Sequence, residues 1–178
     1  SVSYPGFAMS WAEAPADAVY GCTDANACNF NADATDDDGT CIAFGESFDC
    51  ALALGDGASG EGSDSMGSGG LYFSFSVADA ALSSTTVTAC GSGFDTKLWV
   101  YAADGTEAGF NDDGCYGYDG DGDGSQDGSS YASKLEFDGG LAAGDYVAKL
   151  TPYGSWTTVT NWNLSASSIE VTTCDDEA

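Results

Sequence analysis

The chain has 178 residues and carries 22 Asp, 7 Glu and 3 Lys, with no Arg and no His, so its formal net charge is −26. Three lysines cannot build the positive surface that binds nucleic acid or an anionic membrane, and the absence of His and Arg removes the usual base of a hydrolytic triad and the usual phosphate clamp. No apolar run approaches the roughly 20 residues of a membrane span.

The rest of the composition predicts a folded, all-β protein. Hydrophobic residues make up 43% of the chain and aromatic residues 12%, which is too apolar for a disordered acidic chain. The 25 glycines, together with short runs of Val, Phe, Tyr, Trp and Leu, favour strands joined by turns. We therefore expect an antiparallel β-sandwich.

The cysteine pattern predicts disulfides formed in an oxidising compartment, because the seven cysteines are widely spaced and contain no CxxC pair. Seven is odd, so at least one cysteine is free, bonded to another chain, or partnered in a part of the protein outside this sequence. The chain opens with Ser1 and not Met, from which we expect a removed signal peptide and an extracellular or cell-surface location.

Residues 1–20 predict an extended arm. Apolar residues alternate with small ones on either side of Pro5-Gly6. Two interpretations stay open: a first strand that pairs within its own domain, or an arm that adds to the sheet edge of a neighbouring subunit. The candidates for contacts between subunits are Val2, Tyr4 and Phe7.

Residues 21–44 are crowded with Asp and Asn and offer almost nothing apolar to bury. Hard oxygen ligands at short spacing, with a cysteine at each end, favour a calcium-binding loop closed by a disulfide. A merely solvated acidic loop is the alternative. The candidate ligands are Asp24, Asn29, Asn31, Asp37 and Asp38.

The motifs GCTD, ACNFN and ATDDDGTC in residues 21–41 resemble the Cys- and Asp-rich repeat found in secreted and surface proteins of marine bacteria, which is similar to thrombospondin type 3 calcium repeats. That family often carries the repeat in tandem, whereas this chain has one copy. The resemblance implies an extracellular, calcium-binding connector.

Residues 54–70 are rich in Gly, Ser and Asp and predict a long loop. A period of two in hydrophobicity then predicts a series of strands separated by turns. Helical evidence is thin and is confined to residues 77–82. The predicted strands cover residues 71–77, 85–90, 96–101, 134–137, 146–151, 161–166 and 169–172.

These strands also carry a family resemblance. The segments LYFSFSV, CGSGFDTKLWVYAADG, FNDDGC, SKLEFDGGLAAGDYVAKLTPYG and WNLSAS resemble the bacterial pre-peptidase C-terminal domain, a jelly-roll-like sandwich appended to secreted peptidases and surface proteins. The resemblance implies a non-catalytic domain over residues 45–174, followed by a tail at 175–178, with a role in binding, targeting or assembly. It also favours a bridge between Cys90 and Cys115.

The same resemblance implies that the acids of its FDT and NDD motifs lie at neighbouring strand ends. A metal could then sit between Asp95, Asn111, Asp112 and Asp113. The alternative is that these side chains cap turns by bonding their own backbone. Both interpretations stay open.

A long acidic insert, residues 115–133, separates NDD from the next strand. Within it Asp119, Asp121, Asp123 and Asp127 fall at positions 1, 3, 5 and 9 of an EF-type loop, and Gly124 permits the sharp turn. The twelfth position is Ser130 and not the usual bidentate Glu. We expect a calcium loop without an EF-hand around it, with a solvated turn as the alternative.

The remaining cysteines leave the connectivity open. Cys50 and Cys174 lie just before the first and just after the last sandwich strand, so a bridge between them would join the ends of the domain. Of the other three, Cys22 and Cys41 are disulfide candidates, and Cys28 is a candidate for a bond to another chain.

We expect a secreted, calcium-stabilised structural or adhesion protein that assembles with copies of itself into a filament or sheath, or binds other surface proteins or polysaccharide. The alternative is a non-catalytic carbohydrate- or protein-binding module released from a larger secreted hydrolase. Trp99, Trp156 and Tyr153 are candidates for sugar contacts. We expect no enzymatic activity, because no pair of the many carboxylates stands out as an acid and its partner.

Overall fold

The computed structural model describes residues 17–54, 59–62, 66–78, 82–154 and 162–170. The chain divides into two compact units, Ser1–Ala43 and Phe44–Ala178. Most of the predicted N-terminal arm, including Val2, Tyr4 and Phe7, lies outside the described residues.

The N-terminal unit is held by a short parallel pair of strands, turns and a disulfide. Strand β1 (Tyr20–Gly21) pairs with β2 (Asp36–Asp37), and a disulfide joins Cys22 to Cys41. Cys22 is 1% exposed, and few other side chains of the unit are buried. A segment with so little apolar surface to bury depends on cross-links and turn hydrogen bonds for its order.

The second unit is a β-sandwich of two sheets. Its strands are β3 (Leu52–Ala53), β4 (Ser59–Gly62), β5 (Leu71–Val77), β6 (Leu82–Thr88), β7 (Thr96–Ala102), β8 (Glu107–Asn111), β9 (Lys134–Asp138), β10 (Gly144–Pro152) and β11 (Trp162–Glu170). The five-stranded sheet has the order β3-β5-β10-β7-β8, and the four-stranded sheet has the order β4-β11-β6-β9. Within the described residues the pairing is antiparallel except between β3 and β5.

The two sheets bury their alternating apolar residues against each other. Phe73, Leu98 and Leu150 from the five-stranded sheet share one core with Val87 and Leu164 from the four-stranded sheet, and each is at most 1% exposed. This is the packing that the period of two predicts, because successive side chains of a strand point to opposite faces.

The predicted all-β class is confirmed, with corrections to individual elements. Strand β5 has the predicted bounds, and β7, β9 and β10 extend the predicted strands by one to three residues. The predicted loop at 54–70 contains strand β4, and the two strands expected at 161–166 and 169–172 form the single strand β11. Strand β8 was not predicted.

The described residues contain a 3₁₀ turn at Phe48–Cys50 and no α-helix. Residues 79–81, the centre of the thin helical signal, lie outside them. Among the described residues, no helix has the length and apolar character needed to cross a membrane.

Candidate metal centre

The acidic insert starts from a cross-linked base. Cys115 is 1% exposed and forms a disulfide with Cys90, as the family resemblance implies. The backbone N–H of Cys115 donates to the carbonyl oxygen of Ala132 at 3.1 Å, so the two ends of the insert run side by side. The loop between them therefore begins and ends on a rigid support.

The side chain of Gln126, an exposed residue, braces this loop by hydrogen bonds to its backbone. Its Nε2 donates to the carbonyl oxygens of Cys115 and Asp127, both at 3.1 Å, while its Oε1 accepts the N–H of Gly117. The backbone N–H of Asp127 donates to the carbonyl oxygen of Tyr118 at 2.8 Å. These bonds close the segment around the aspartates.

The end of the loop is fastened to the sandwich. The N–H of Ser129 donates to the carbonyl oxygen of Ser92 at 2.7 Å. Gly128 has φ +65°, and a Cβ there would lie 2.6 Å from backbone atoms of Gly91 and Ser92. The hydroxyl of Ser92 donates to the carbonyl oxygen of Asn163 in β11 at 3.2 Å. A side chain at residue 128 would push the loop off its support.

Three of the four predicted ligands converge at the tip of this loop. Carboxylate oxygens of Asp119, Asp121 and Asp127 all lie within 4.8 Å of one another. Asp119 and Asp121 are exposed and Asp127 is half-buried. Among the described residues, no other set of three or more acidic side chains lies close enough together to share one ion.

Backbone N–H groups hold Asp119 in place. Its Oδ2 accepts the N–H of Gly124 at 2.8 Å, and its Oδ1 accepts those of Gly122 at 2.6 Å and Asp123 at 3.1 Å. These bonds, that from Gly124 foremost, lower the pKa of Asp119 from its ordinary value of 3.8. Gly122 and Gly124 have φ of +77° and +86°, which suit glycine and fold the chain back over the carboxylate.

The fourth predicted ligand, Asp123, is not in the group. Its Oδ1 accepts the backbone N–H of Ser125 at 2.7 Å and the hydroxyl of the same residue, and the Ser125 hydroxyl is the main cause of the lowered pKa of Asp123. A residue two positions further along therefore competes for this carboxylate.

The donor set fits a hard divalent cation such as calcium. Calcium takes about six to eight oxygen ligands, including carboxylates, backbone carbonyls and water. The three carboxylates of Asp119, Asp121 and Asp127 can provide three to six of these ligands, because each can bind through one or both oxygens. Water can reach the loop and provide the rest. The soft donors that transition metals prefer are absent from this group, since it contains no Cys and no His.

The second predicted cluster, around Asp95, differs from the loop tip in its electrostatics. Asp113 and Asp112 both raise the pKa of Asp95, after burial as the largest cause, and Lys97 opposes them. The Oδ1 of Asp95 is buried without a hydrogen-bond partner among the described residues. Asn111 does not complete the cluster, because its Oδ1 accepts the N–H of Asp113 at 2.7 Å.

In the N-terminal unit the predicted ligands bond neighbouring chain atoms. Asp24, Asn31, Asp37 and Asp38 each accept the backbone N–H of the residue two positions later, at 2.7 to 3.0 Å. Asn29 links two segments, since its Nδ2 donates to Thr40 O and its Oδ1 accepts the N–H of Ile42. The described carboxylates of this unit form no group of three within sharing distance of one ion.

The disulfides confirm two pairings and correct one expectation. Cys22–Cys41 and Cys90–Cys115 are confirmed. Cys28 and Cys50 are also disulfide-bonded, so Cys28 is not the cysteine left for another chain. Cys174, the predicted partner of Cys50, lies outside the described residues.

Sequence reasoning missed Gln126 and Ser92. No motif of metal ligation includes either residue, because both act on the backbone of the loop and not on an ion. The sequence offered only a weak signal for Gln126. It is the one amide side chain between Tyr116 and Tyr131, in a stretch rich in Asp, Gly and Ser.

Comparison with known proteins finds similarity to solved structures. A scan against protein-family models and a search of curated proteins both find no match. Among solved structures, the chain is similar to the crystal structure of the pre-peptidase C-terminal domain of a collagenase from Bacillus anthracis, with 12% sequence identity and a TM-score of 0.42. The match covers 65% of this chain and 91% of that one. We assign no function from this similarity.

Proposed function

We propose that this chain is a secreted structural or adhesion protein of a cell surface, that calcium stabilises it, and that copies of it assemble as the repeating subunit of a filament or sheath. The observation that carries the proposal is the convergence of Asp119, Asp121 and Asp127 in a loop fixed at both ends. We propose no catalytic role for these acids.

The charge of the chain explains why an ion would matter. A net charge of −26 on 178 residues makes the compact state repel itself. The three converging carboxylates concentrate this repulsion in one loop. An ion that binds only the folded state removes the local repulsion and stabilises the fold by mass action.

The cross-links support an extracellular setting. Six cysteines are disulfide-bonded, and such bonds persist in oxidising compartments. Extracellular calcium sites bind with a Kd of about 10⁻⁴ to 10⁻³ M, which suits the calcium concentration outside cells. The disulfides and the acidic loop therefore fit the same environment.

Calcium titration of the metal-free protein tests the first half of the proposal. Isothermal titration calorimetry should show binding by the natural chain with a Kd of about 10⁻⁴ to 10⁻³ M. Asp119→Asn and Asp121→Asn should abolish the binding heat, whereas Asp123→Asn, the matched control, should retain it. Equal loss in all three variants would argue against the converging group as the site.

Particle size tests the second half. Light scattering and electron microscopy in millimolar calcium should show filaments or large oligomers, and chelation with EGTA should shorten or disperse them. A compact 18 kDa monomer in both conditions would overturn the assembly proposal. That result would favour the detached binding module instead.

A further inference from the structure

A cavity of about 250 Å³ opens beside the Cys90–Cys115 disulfide. One wall comes from the four-stranded sheet, where Thr88 at the end of β6 pairs with Lys134 at the start of β9. The other wall is the first part of the acidic insert, residues 114–118. The disulfide joins the two walls.

Two tyrosines form the outer part of this cavity. Tyr116 is 92% exposed and Tyr118 is 37% exposed. Tyrosine is well suited to recognition, because it offers a large, stiff ring with a polar tip and loses little conformational entropy on binding. A ring as exposed as that of Tyr116 adds little to the stability of the fold and is available for binding.

Two polar side chains, Thr88 and Lys134, line the same cavity. The Oγ1 of Thr88 accepts the N–H of Cys90 at 3.1 Å, which leaves its own proton free to donate to a ligand. The Nζ of Lys134 lies 2.6 Å from the Oε1 of Glu136 on the same strand, and both side chains are partly exposed. The hydroxyl of Thr88 and the ammonium of Lys134 can therefore bond the hydroxyl groups of a ligand.

The charges favour a neutral ligand in this cavity. An anion would approach a chain of net charge −26, and the ammonium of Lys134 in the lining is already paired with Glu136. A cation would be attracted to the chain, but the described residues that line the cavity include no carboxylate to bind it. A neutral ligand with several hydroxyl groups needs neither a free cation nor a carboxylate in the lining.

We propose that this cavity binds one neutral sugar residue of a surface or matrix glycan, with Tyr116 and Tyr118 packing on the C–H face of the ring and Thr88 and Lys134 bonding its hydroxyls. Its volume lies below the roughly 300 to 1,000 Å³ of cavities for drug-sized ligands, which suits a single ring. The inference deepens the adhesive part of the proposed function. It does not require a bound metal, because none of the three converging aspartates lines the cavity.

Saturation-transfer difference NMR on the full chain tests the proposal. The probes are methyl β-D-glucopyranoside, methyl β-D-galactopyranoside, methyl α-D-mannopyranoside and N-acetyl-D-glucosamine, each in calcium and again in EGTA. At least one should give transfer to its ring protons with a Kd of about 1 mM, as expected for so small a ligand. Tyr116→Ala and Tyr118→Ala should each weaken binding by about tenfold.

The control is Tyr153→Ala. The sequence makes Tyr153 a candidate for sugar contacts, but this residue is 49% exposed, packs against Lys97 and does not line the cavity. The control variant should bind like the natural chain. Tyr116→Ala is the decisive variant, since an exposed ring can be removed without unfolding the protein.

Three results would overturn the inference. The first is the absence of transfer from all four sugars to the folded natural chain. The second is equal weakening in Tyr153→Ala and Tyr116→Ala. The third is binding that disappears in EGTA and in Asp119→Asn but survives Tyr116→Ala, which would place the sugar on the metal. Failure of the calcium proposal alone would appear in the calorimetric titration and would leave sugar binding in EGTA unchanged.

Discussion

Two acidic regions flank the Cys90–Cys115 disulfide, and they treat their carboxylates in opposite ways. In the loop tip, Asp119 is exposed and accepts three backbone N–H groups, which lower its pKa. Near the strand ends, Asp95 has a buried oxygen without a partner, and burial and two neighbouring acids raise its pKa. The sequence crowds acids in both places, but among the described residues the buried Oδ1 of Asp95 has no donor like those that hold Asp119.

The contrast shows that hydrogen bonds from the chain itself decide whether an acidic cluster is electrostatically satisfied. The loop tip is already satisfied by its own backbone, so an ion there would add to an ordered site. Asp95 carries an unfavourable charge that either a proton or a cation would relieve. The predictions that follow separate these two situations, beginning with the largest effect.

Removal of the disulfide should loosen both regions together. The double variant Cys90→Ala, Cys115→Ala opens a cross-link between residues 25 positions apart. We expect a loss of about 2 to 4 kcal/mol in unfolding free energy. Chemical denaturation in EGTA measures it, and amide hydrogen exchange should show faster exchange at both Asp95 and the loop. Faster exchange in the loop alone would mean that the Asp95 region does not depend on the bridge.

Asp119→Asn should remove the calcium-dependent part of the stability. In 10 mM calcium, a site with a Kd of about 10⁻⁴ to 10⁻³ M adds roughly 1.4 to 2.7 kcal/mol to the natural chain. The variant should lose this increment, as measured by denaturation with and without calcium. Asp123→Asn is the control, because Asp123 bonds Ser125 and lies outside the converging group. An equal increment in Asp119→Asn would contradict the site.

Asp95→Asn should change the unfolding free energy in the opposite direction and stabilise the fold. The amide keeps the size of the carboxylate but removes a charge that burial, Asp113 and Asp112 all disfavour. In EGTA at neutral pH we expect the unfolding free energy to rise by up to about 1 kcal/mol. The comparison variant is Asp104→Asn, whose carboxylate accepts the N–H of Thr106 at 2.9 Å and has a lowered pKa. It should be neutral or slightly destabilised, and a stabilised Asp104→Asn would show that net charge alone explains both results.

Much of the sandwich could be predicted from local pattern, and the exceptions have physical reasons. The alternation in LYFSFSV places β5 at its observed bounds. Strand β8 was not predicted because its inward position is Gly109, where a Cβ would lie 3.1 Å from the ring of Phe137. A glycine that makes room for an aromatic ring carries no hydrophobic signal.

Strand β11 shows a different limit. Its outward positions and its far half contain several serines, so the sequence reads as two short strands. The ladder with β6 runs from Ser165 to Glu170 with a shift in register between Ile169 and Glu170. Pairing with a neighbouring strand, which no local pattern reports, keeps the strand continuous.

The candidate metal centre could also be predicted from the sequence only in part. The spacing of Asp119, Asp121 and Asp127 predicted a shared site, and the structure brings their oxygens together. The same spacing predicted Asp123, which lies outside the group and accepts the N–H and hydroxyl of Ser125. Spacing specifies where a side chain could reach, whereas the direction that a carboxylate takes also depends on the hydrogen-bond donors of its neighbours.

Acid titration gives the finest test of the contrast between the two regions. Asp119 and Asp123 have lowered pKa values in the fold, so they contribute stability that is complete above the ordinary value of 3.8 and is lost as the pH falls through their folded values. Asp95 has a raised pKa, so the folded state binds its proton more tightly. Stability should therefore fall as the pH rises from 3.8 through the raised value. Carboxyl ¹³C NMR of the labelled chain in EGTA, with Asp95→Asn to assign the signal, should place Asp95 above 3.8 and Asp119 below it. If Asp95 titrated at or below 3.8, its buried oxygen would have to gain a donor in solution, and the two regions would no longer differ in kind.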